Sequence, residues 1–254
     1  MSLAGSLLAG DGRLLVVAVD HPLYSWPCAG LEDRASLLRT AAEAGADAFI
    51  ASYGTLRDNR GAFGSAKPIL KLDLTTVTVN GSYPVTEYAL AYTLEDARRL
   101  EAAAVLTLVQ LGAPFELEAL RSAARVAAAA DRAGLPYVCE IMPAGGPQYP
   151  DLAAPVAIAA AARTGAELGA HIVKTAMPVP AGAIGDVVGC GAPVILAGGE
   201  LTADRDALVG AVAEAIAAGA AGVAHGRNVW GSSDPAAAVA ALRDVVHPGV
   251  AGRD

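Results

Sequence analysis

Residues 14–20 read Leu-Leu-Val-Val-Ala-Val-Asp, and residues 32–44 read Glu-Asp-Arg-Ala-Ser-Leu-Leu-Arg-Thr-Ala-Ala-Glu-Ala. The first is a β-branched apolar run ending in a charge; the second carries apolar residues at helical spacing and stops at Gly45. Together they form one strand-helix unit, and the same unit recurs outward along the chain. Strands are predicted at 48–52, 68–74, 104–110, 136–141, 171–175, 193–197 and 221–225. Helices are predicted at 94–102, 115–133, 153–168, 181–188, 203–218 and 235–246, with Gly134, Gly169 and Gly219 as stops. The third unit is the least regular. A polar, Gly-rich stretch at 54–65 precedes its strand, and a second apolar run at 75–79 leads to Asn80-Gly81, which reads as a turn.

Eight strand candidates alternate with helical segments, and the strands are near-continuous hydrophobic runs rather than two-faced alternations. Parallel strands covered by helices have that character. An α/β fold follows, a closed (β/α)8 TIM barrel, and a single domain over residues 1–254 matches the usual length of such barrels, about 250 residues. An open doubly wound sheet has the same local pattern, but neither of its glycine-rich nucleotide fingerprints occurs.

Apolar residues make up 54% of the chain and charged ones 17%, so a large buried core is expected. A formal net charge of −8, without any basic run, argues against a nucleic-acid partner. Cys28, Cys139 and Cys190 are far apart and odd in number, so neither disulfides nor a zinc site are expected. A cytoplasmic setting is the simplest expectation. No apolar stretch escapes interruption long enough to cross a membrane. Neither cofactor nor metal is called for, and a homo-oligomer is expected.

The barrel has a consequence for function, because active sites of this architecture lie at the carboxyl ends of the strands. Polar residues collect there: Asp20 and His21 after the first strand, Lys71 and Asp73 on the third, Gln110 on the fourth, Glu140 on the fifth, Lys174 on the sixth, Gly198 and Gly199 after the seventh, and Gly226 and Arg227 after the eighth. Lys174 is one of only three lysines, set in the apolar run His171-Ile172-Val173-Lys174-Thr175. A buried lysine either snorkels or pairs, or it is an amine desolvated for attack on carbonyls. Lys71 either depresses the basicity of Lys174 by its charge or forms an ion pair with Asp73, Asp20 or Glu140. Lys67, at the opposite end of that strand, is expected to be solvated.

Gly198-Gly199 and Gly226-Arg227-Asn228 sit on adjacent strands, where backbone N–H groups and one guanidinium suit a phosphate. A small phosphorylated ketone or aldehyde is the ligand this predicts. Asp20 and His21 offer a carboxylate and an imidazole for proton transfer. His171 faces away from Lys174, and His225 is a candidate to approach the phosphate. Tyr24, Tyr53 and Tyr149 are loop phenols that qualify as acids.

Six segments, VDHP (19–22), PILKLD (68–73), EIMP (140–143), GAHIVKT (169–175), LAGG (196–199) and GVAHGRNVW (222–230), together resemble the DhnA-type, or archaeal-type, class I fructose-bisphosphate aldolases, a group of DeoC/LacD-like aldolases. The resemblance implies that Lys174 forms a Schiff base, that Gly198, Gly199, Gly226 and Arg227 hold the phosphate of a ketose phosphate such as dihydroxyacetone phosphate, and that Asp20 and His21 line the catalytic pocket. Departures from the family pattern are equally informative. The tyrosine acid of its Glu-Met-Tyr-Pro-Arg-Gly segment is Met142 here and the arginine is Ala144; Pro22 and His171 replace a glycine and an aspartate. The implied reaction is therefore carbon–carbon bond chemistry with a non-glycolytic aldehyde acceptor in a biosynthetic pathway. Two alternatives stand beside it: thiolase-like acyl transfer on a phosphorylated diketone, and a non-catalytic phosphosugar-binding barrel.

Overall fold

The computed structural model describes residues 2–79 and 85–249. Eight parallel strands close into a barrel: β1 (Leu14–Ala18), β2 (Ala48–Ala51), β3 (Lys67–Lys71), β4 (Ala104–Leu111), β5 (Tyr137–Pro143), β6 (Ile172–Thr175), β7 (Val194–Ala197) and β8 (Gly222–His225). Each strand pairs with its sequence neighbour, and β8 returns to β1 through Leu14–Gly222 and Val17–His225. The eight expected strands are all present.

The alternation of side chains along each strand builds two cores. Leu14, Val16, Ile50, Ile69, Leu106, Val138, Ile172, Ile195 and Ala224 point inward and fill the barrel. Leu15, Val17, Phe49, Leu70, Val105, Cys139, Val173 and Leu196 point outward into the layer of surrounding helices. This double burial is why the strands read as unbroken apolar runs. The three cysteines are buried and unpaired, consistent with the expectation of no disulfide.

Several elements differ from their sequence reading. Strand 68–74 divides: β3 ends at Lys71, and Asp73–Thr75 turns out of the barrel to pair antiparallel with Tyr88–Leu90. The following apolar run contributes Thr78–Val79, which pairs with Ser25–Trp26 above the barrel mouth. The Asn80-Gly81 turn lies outside the described residues. The polar stretch 54–65 contains a helix, Tyr53–Asp58, begun by Ser52 accepting from the Thr55 N–H. The helix expected at 181–188 is confined to Gly185–Val188.

The expectation that Lys67 is simply solvated is overturned. Its Nζ donates to the carbonyls of Ser6, Leu7 and Leu8 at 2.9, 3.0 and 3.3 Å. These carbonyls end the helix Leu3–Leu7, where the backbone has no helical donors left and a cation is favoured. The fully buried Leu7 of this helix joins the interior core, so the helix stoppers the amino-terminal end of the barrel. The opposite end is left to hold the polar groups.

Candidate active site

Inward positions on the strands change from aliphatic to ionisable on moving toward the carboxyl end. On β3 the inward sequence is Ile69, Lys71; on β5 it is Val138, Glu140, Met142; on β6 it is Ile172, Lys174. Lys174 and Glu140 are register partners, so their side chains emerge side by side on the same face. Lys174 Nζ lies 2.6 Å from Glu140 Oε1, and Lys71 Nζ lies 2.6 Å from Asp73 Oδ1. Lys71, Asp73 and Lys174 are all buried. Asp73 also accepts the Leu108 N–H, which fixes its carboxylate beneath the cavity floor.

These charges set one another's protonation. Burial opposes the charge on Lys71, but Asp73, Glu140 and Asp20 outweigh it and hold the ammonium well above its ordinary range. Burial likewise opposes ionisation of Glu140, yet Lys174 and Lys71 prevail, and its carboxyl lies below the usual value. Asp20 is 2% exposed, and burial raises it despite the two lysines. His21 is driven down to about 3, first by burial and then by Lys174 and Arg227, so its imidazole is neutral near pH 7. Asp20 Oδ1 and His21 Nδ1 are 3.8 Å apart, beyond hydrogen-bonding distance, and neither atom has another partner.

A cavity of about 500 Å³ opens above these groups, lined among others by His21, Tyr24, Lys71, Gln110, Glu140, Met142, Lys174, Gly198, Gly199, Gly226 and Arg227. Of the predicted site residues, only Asp20 lies behind the lining. The cavity distinguishes the three loop tyrosines. Tyr24 lines it, with its ring 5.2 Å from that of His21, and burial beside Asp20 and Glu140 holds its phenol well above its ordinary value. Tyr53 instead stacks on Tyr92 and accepts from Arg99, while Tyr149 packs near Gly112.

The β7 and β8 ends form the other half of the cavity. A Cβ on Gly198 would stand 2.6 Å from Cγ of His225, and Gly199 has φ +66°, a conformation suited to glycine. Asn228 ties the two strand ends together. Its Nδ2 donates to the carbonyls of Gly198 and Glu200 at 2.8 and 2.9 Å, and its Oδ1 accepts the Thr202 N–H. Arg227 begins the short helix Arg227–Trp230 and pairs with Glu200 at 2.5 Å. Trp230 donates from Nε1 to the Ala18 carbonyl, and its ring meets that of His21 in a T-shaped contact with centroids 5.2 Å apart.

Glu200 and Trp230 were not singled out from sequence, and Asn228 was noted only as part of the Gly-Arg-Asn turn. The Gly-Arg-Asn-Val-Trp run contains two of them, but only the closure of β8 onto β1 shows what they brace. His225 is fully buried with neither ring nitrogen partnered, and burial and Lys174 push it down to about 4. It lies beneath Gly198 rather than alongside Arg227, which belongs to the following helix. His171 points away from the cavity as expected, bonding Asp131 at 2.9 Å and accepting the Tyr137 N–H.

Residues 14–232 fit the family model described as DeoC/LacD family aldolase. This chain belongs to the DeoC/LacD aldolase family. It is 34% identical to 2-amino-3,7-dideoxy-D-threo-hept-6-ulosonate synthase of Halobacterium salinarum, over 94% of this chain and 89% of the relative. It is 30% identical to 2-amino-4,5-dihydroxy-6-oxo-7-(phosphonooxy)heptanoate synthase of Streptomyces griseus, over 92% and 85% of the two chains. A 3-hydroxy-5-phosphonooxypentane-2,4-dione thiolase of Enterobacter sp. is also 30% identical, over 96% and 79%. Among solved structures, an archaeal fructose 1,6-bisphosphate aldolase superposes with a TM-score of 0.86 at 28% identity, covering 98% of this chain and all of the other. Another archaeal aldolase structure, with a TM-score of 0.85 and 28% identity over 96% and 99% of the chains, has its catalytic lysine covalently bound to a carbinolamine intermediate of the substrate. The DeoC/LacD aldolase described here is thus a carbon–carbon lyase of the class I, Schiff-base type.

Proposed function

We propose that this aldolase makes or breaks a carbon–carbon bond in a phosphorylated ketose, with Lys174 as the Schiff-base amine, a dihydroxyacetone-phosphate-type donor and a non-glycolytic aldehyde acceptor in a biosynthetic reaction. One observation carries the reading. A buried lysine amine stands 2.6 Å from a carboxylate at a cavity whose adjoining wall, at the ends of β7 and β8, is a glycine-lined cradle with one arginine.

In the synthetic direction the Lys174 amine adds to the donor's ketone carbon, and loss of water leaves an iminium. Glu140 is placed to take the proton that the lysine must shed before it attacks. The iminium draws electrons from the adjacent carbon, which gives up a proton and becomes an enamine. That carbon attacks the acceptor's aldehyde carbon, the aldehyde oxygen takes a proton, and water hydrolyses the new iminium to release product and amine. Backbone N–H groups after β7 and β8, with Arg227 in place of its present partner Glu200, hold the donor's phosphate. Lys71 accompanies the site as an ammonium already compensated by Asp73.

Met142 cannot carry the proton assigned to the family's tyrosine. Among the described residues Tyr24 is the phenol that lines the cavity, on the other side and next to the neutral imidazole of His21 and buried Asp20, and we assign the proton relay to this trio. The whole chain, 1–254, acts as one barrel domain in this reading. The buried unpaired thiols support a reducing, cytoplasmic setting. Assembly into a homo-oligomer belongs to the proposal, with light scattering as its check.

Incubation with dihydroxyacetone phosphate followed by borohydride should add the reduced donor's mass to the peptide containing Lys174, and Lys174→Met should abolish the adduct. Absence of an adduct would favour a non-catalytic phosphosugar-binding barrel. Adduct formation accompanied by acyl transfer to a thiol, rather than addition to aldehydes, would favour thiolase chemistry.

A further inference from the structure

The cavity has two chemically different sides. The cradle lies on β7 and β8, and diametrically across the barrel from it are β3 and β4. The cavity wall on that side and on β5 is lined by Lys71, Leu108, Gln110, Glu140 and Met142, closed above by Thr75 and Val85 from the loop after β3 and by Met177 from the loop after β6. Gln110 and Met142 are register partners on β4 and β5, so they stand next to each other on this wall. Lys71 and Glu140 are each held in an ion pair, with Asp73 and Lys174, and none of the other six side chains is ionisable.

The cations lining the cavity, among the described residues, are Lys71, Lys174 and Arg227, and each already has a carboxylate within 2.6 Å. The two lining histidines are neutral near pH 7, lowered to about 3 and 4. A second phosphate or a carboxylate placed here would lose its water without gaining a counter-charge, which is strongly unfavourable. Apolar carbon placed here would instead be buried against two thioethers and two aliphatic side chains, and thioethers adapt readily to varied shapes.

We propose that the wall formed by β4, β5 and the loops after β3 and β6 is an acceptor subsite for an uncharged aldehyde with an apolar body, and that it rejects acceptors bearing a phosphate or a carboxylate. The proposal rests on the Schiff-base reading of Lys174 and specifies the substrate that meets the enamine. The donor's phosphate occupies the cradle, its carbonyl carbon is held at β6, and the aldehyde approaches from the β3–β5 side. Gln110 offers an amide on the wall, suited to a neutral hydroxyl or to the aldehyde oxygen.

The test uses the intact enzyme with dihydroxyacetone phosphate as donor and three acceptors: isobutyraldehyde, D-glyceraldehyde 3-phosphate and aspartate semialdehyde. Isobutyraldehyde is expected to be used with a kcat/KM at least tenfold above either charged acceptor, the scale on which an apolar pocket discriminates. Met142→Arg, which places a cation on the wall, should shift the ratio at least tenfold toward the phosphorylated acceptor while borohydride still traps the donor on Lys174. Equal or preferred use of a charged acceptor by the unaltered enzyme, with the Lys174 adduct present, would overturn the subsite alone. Absence of the adduct would overturn the lyase reading, and the subsite with it.

Discussion

Gly226→Ala perturbs the cradle and the His21 ring beside it. Gly226 joins β8 to the helix that begins at Arg227, with φ −115° and ψ −82°. A methyl group there would stand 2.6 Å from Cε1 of His21, 2.8 Å from the Ala18 carbonyl oxygen and 3.2 Å from Nε1 of Trp230. The Ala18 carbonyl belongs to a strand paired on both sides, so it cannot retreat. The His21 ring must move instead, and Trp230 with it. Overpacking of this kind costs about 1–3 kcal/mol. At about 2–4 °C of Tm per kcal/mol for a chain of this size, the melting temperature should fall by roughly 2–12 °C. A displacement approaching 1 Å at a positioning group costs on the order of 10²-fold in rate, so kcat/KM for the phosphorylated donor should fall by one to two orders of magnitude. Gly210→Ala supplies the opposite control. It lies exposed inside the helix Arg205–Ala217, a Cβ there meets nothing within 4 Å, and alanine should stabilise that helix by about 0.5–1 kcal/mol. Steady-state kinetics and thermal melts on both variants check the argument. A Gly226→Ala enzyme with unchanged Tm and unchanged donor kinetics would refute it.

Other predictions follow from the same geometry. Glu140→Gln keeps a polar neighbour for Lys174 but removes the carboxylate that takes its proton, so the single-turnover rate of borohydride trapping should drop by about 10²-fold or more; an unchanged rate would remove Glu140 from the mechanism. Tyr24→Phe keeps the ring contact with His21 and loses only the phenol proton. Its kcat should fall by about 10²-fold with trapping on Lys174 intact, and a kcat within threefold of the parent's would assign the relay elsewhere.

When protonated, His247 donates to both Asp11 and Asp47 at 2.8 Å, and these bonds, Asp47 first, raise its imidazole above the ordinary value of 6.5 despite burial. The folded chain therefore holds this proton more tightly than the unfolded one. The stabilisation is full below about pH 6.5 and is lost as pH rises through the elevated folded value. His247→Phe should lose about 1.5–3 kcal/mol at pH 6 and much less at pH 9, read as a narrowing gap between the two Tm–pH curves. His225 behaves oppositely. Its folded value near 4 means that acidification from pH 6.5 to 4 protonates the unfolded chain first, so this group contributes a loss of stability over that interval. His225→Phe, melted across the same interval, should have a shallower acid slope, and an identical slope would count against the assignment.

The sequence by itself determined the barrel and the half of the site that lies on strands. Apolar runs such as Leu14–Ala18 and Ile172–Val173 are buried on both faces, which leaves few alternatives to parallel strands under helices, and the side-chain period of two then places Lys71, Glu140 and Lys174 on the inner face at one end. What tertiary structure decided was everything that depends on closure. Lys67 looks solvated until β3 is seen beside the amino-terminal helix, whose free carbonyls it satisfies. Tyr24, Tyr53 and Tyr149 are equivalent in sequence, and only the path of the loops brings one of them to the cavity. The partners of Lys71 and Arg227, namely Asp73 and Glu200, depend on a strand that bends out of the barrel and on a loop pinned by Asn228. Local periodicity records which face of a strand a residue occupies, because burial along one element selects it. Which charges meet across the mouth is fixed by contacts between residues far apart in the chain, and those exist only once β8 has closed on β1.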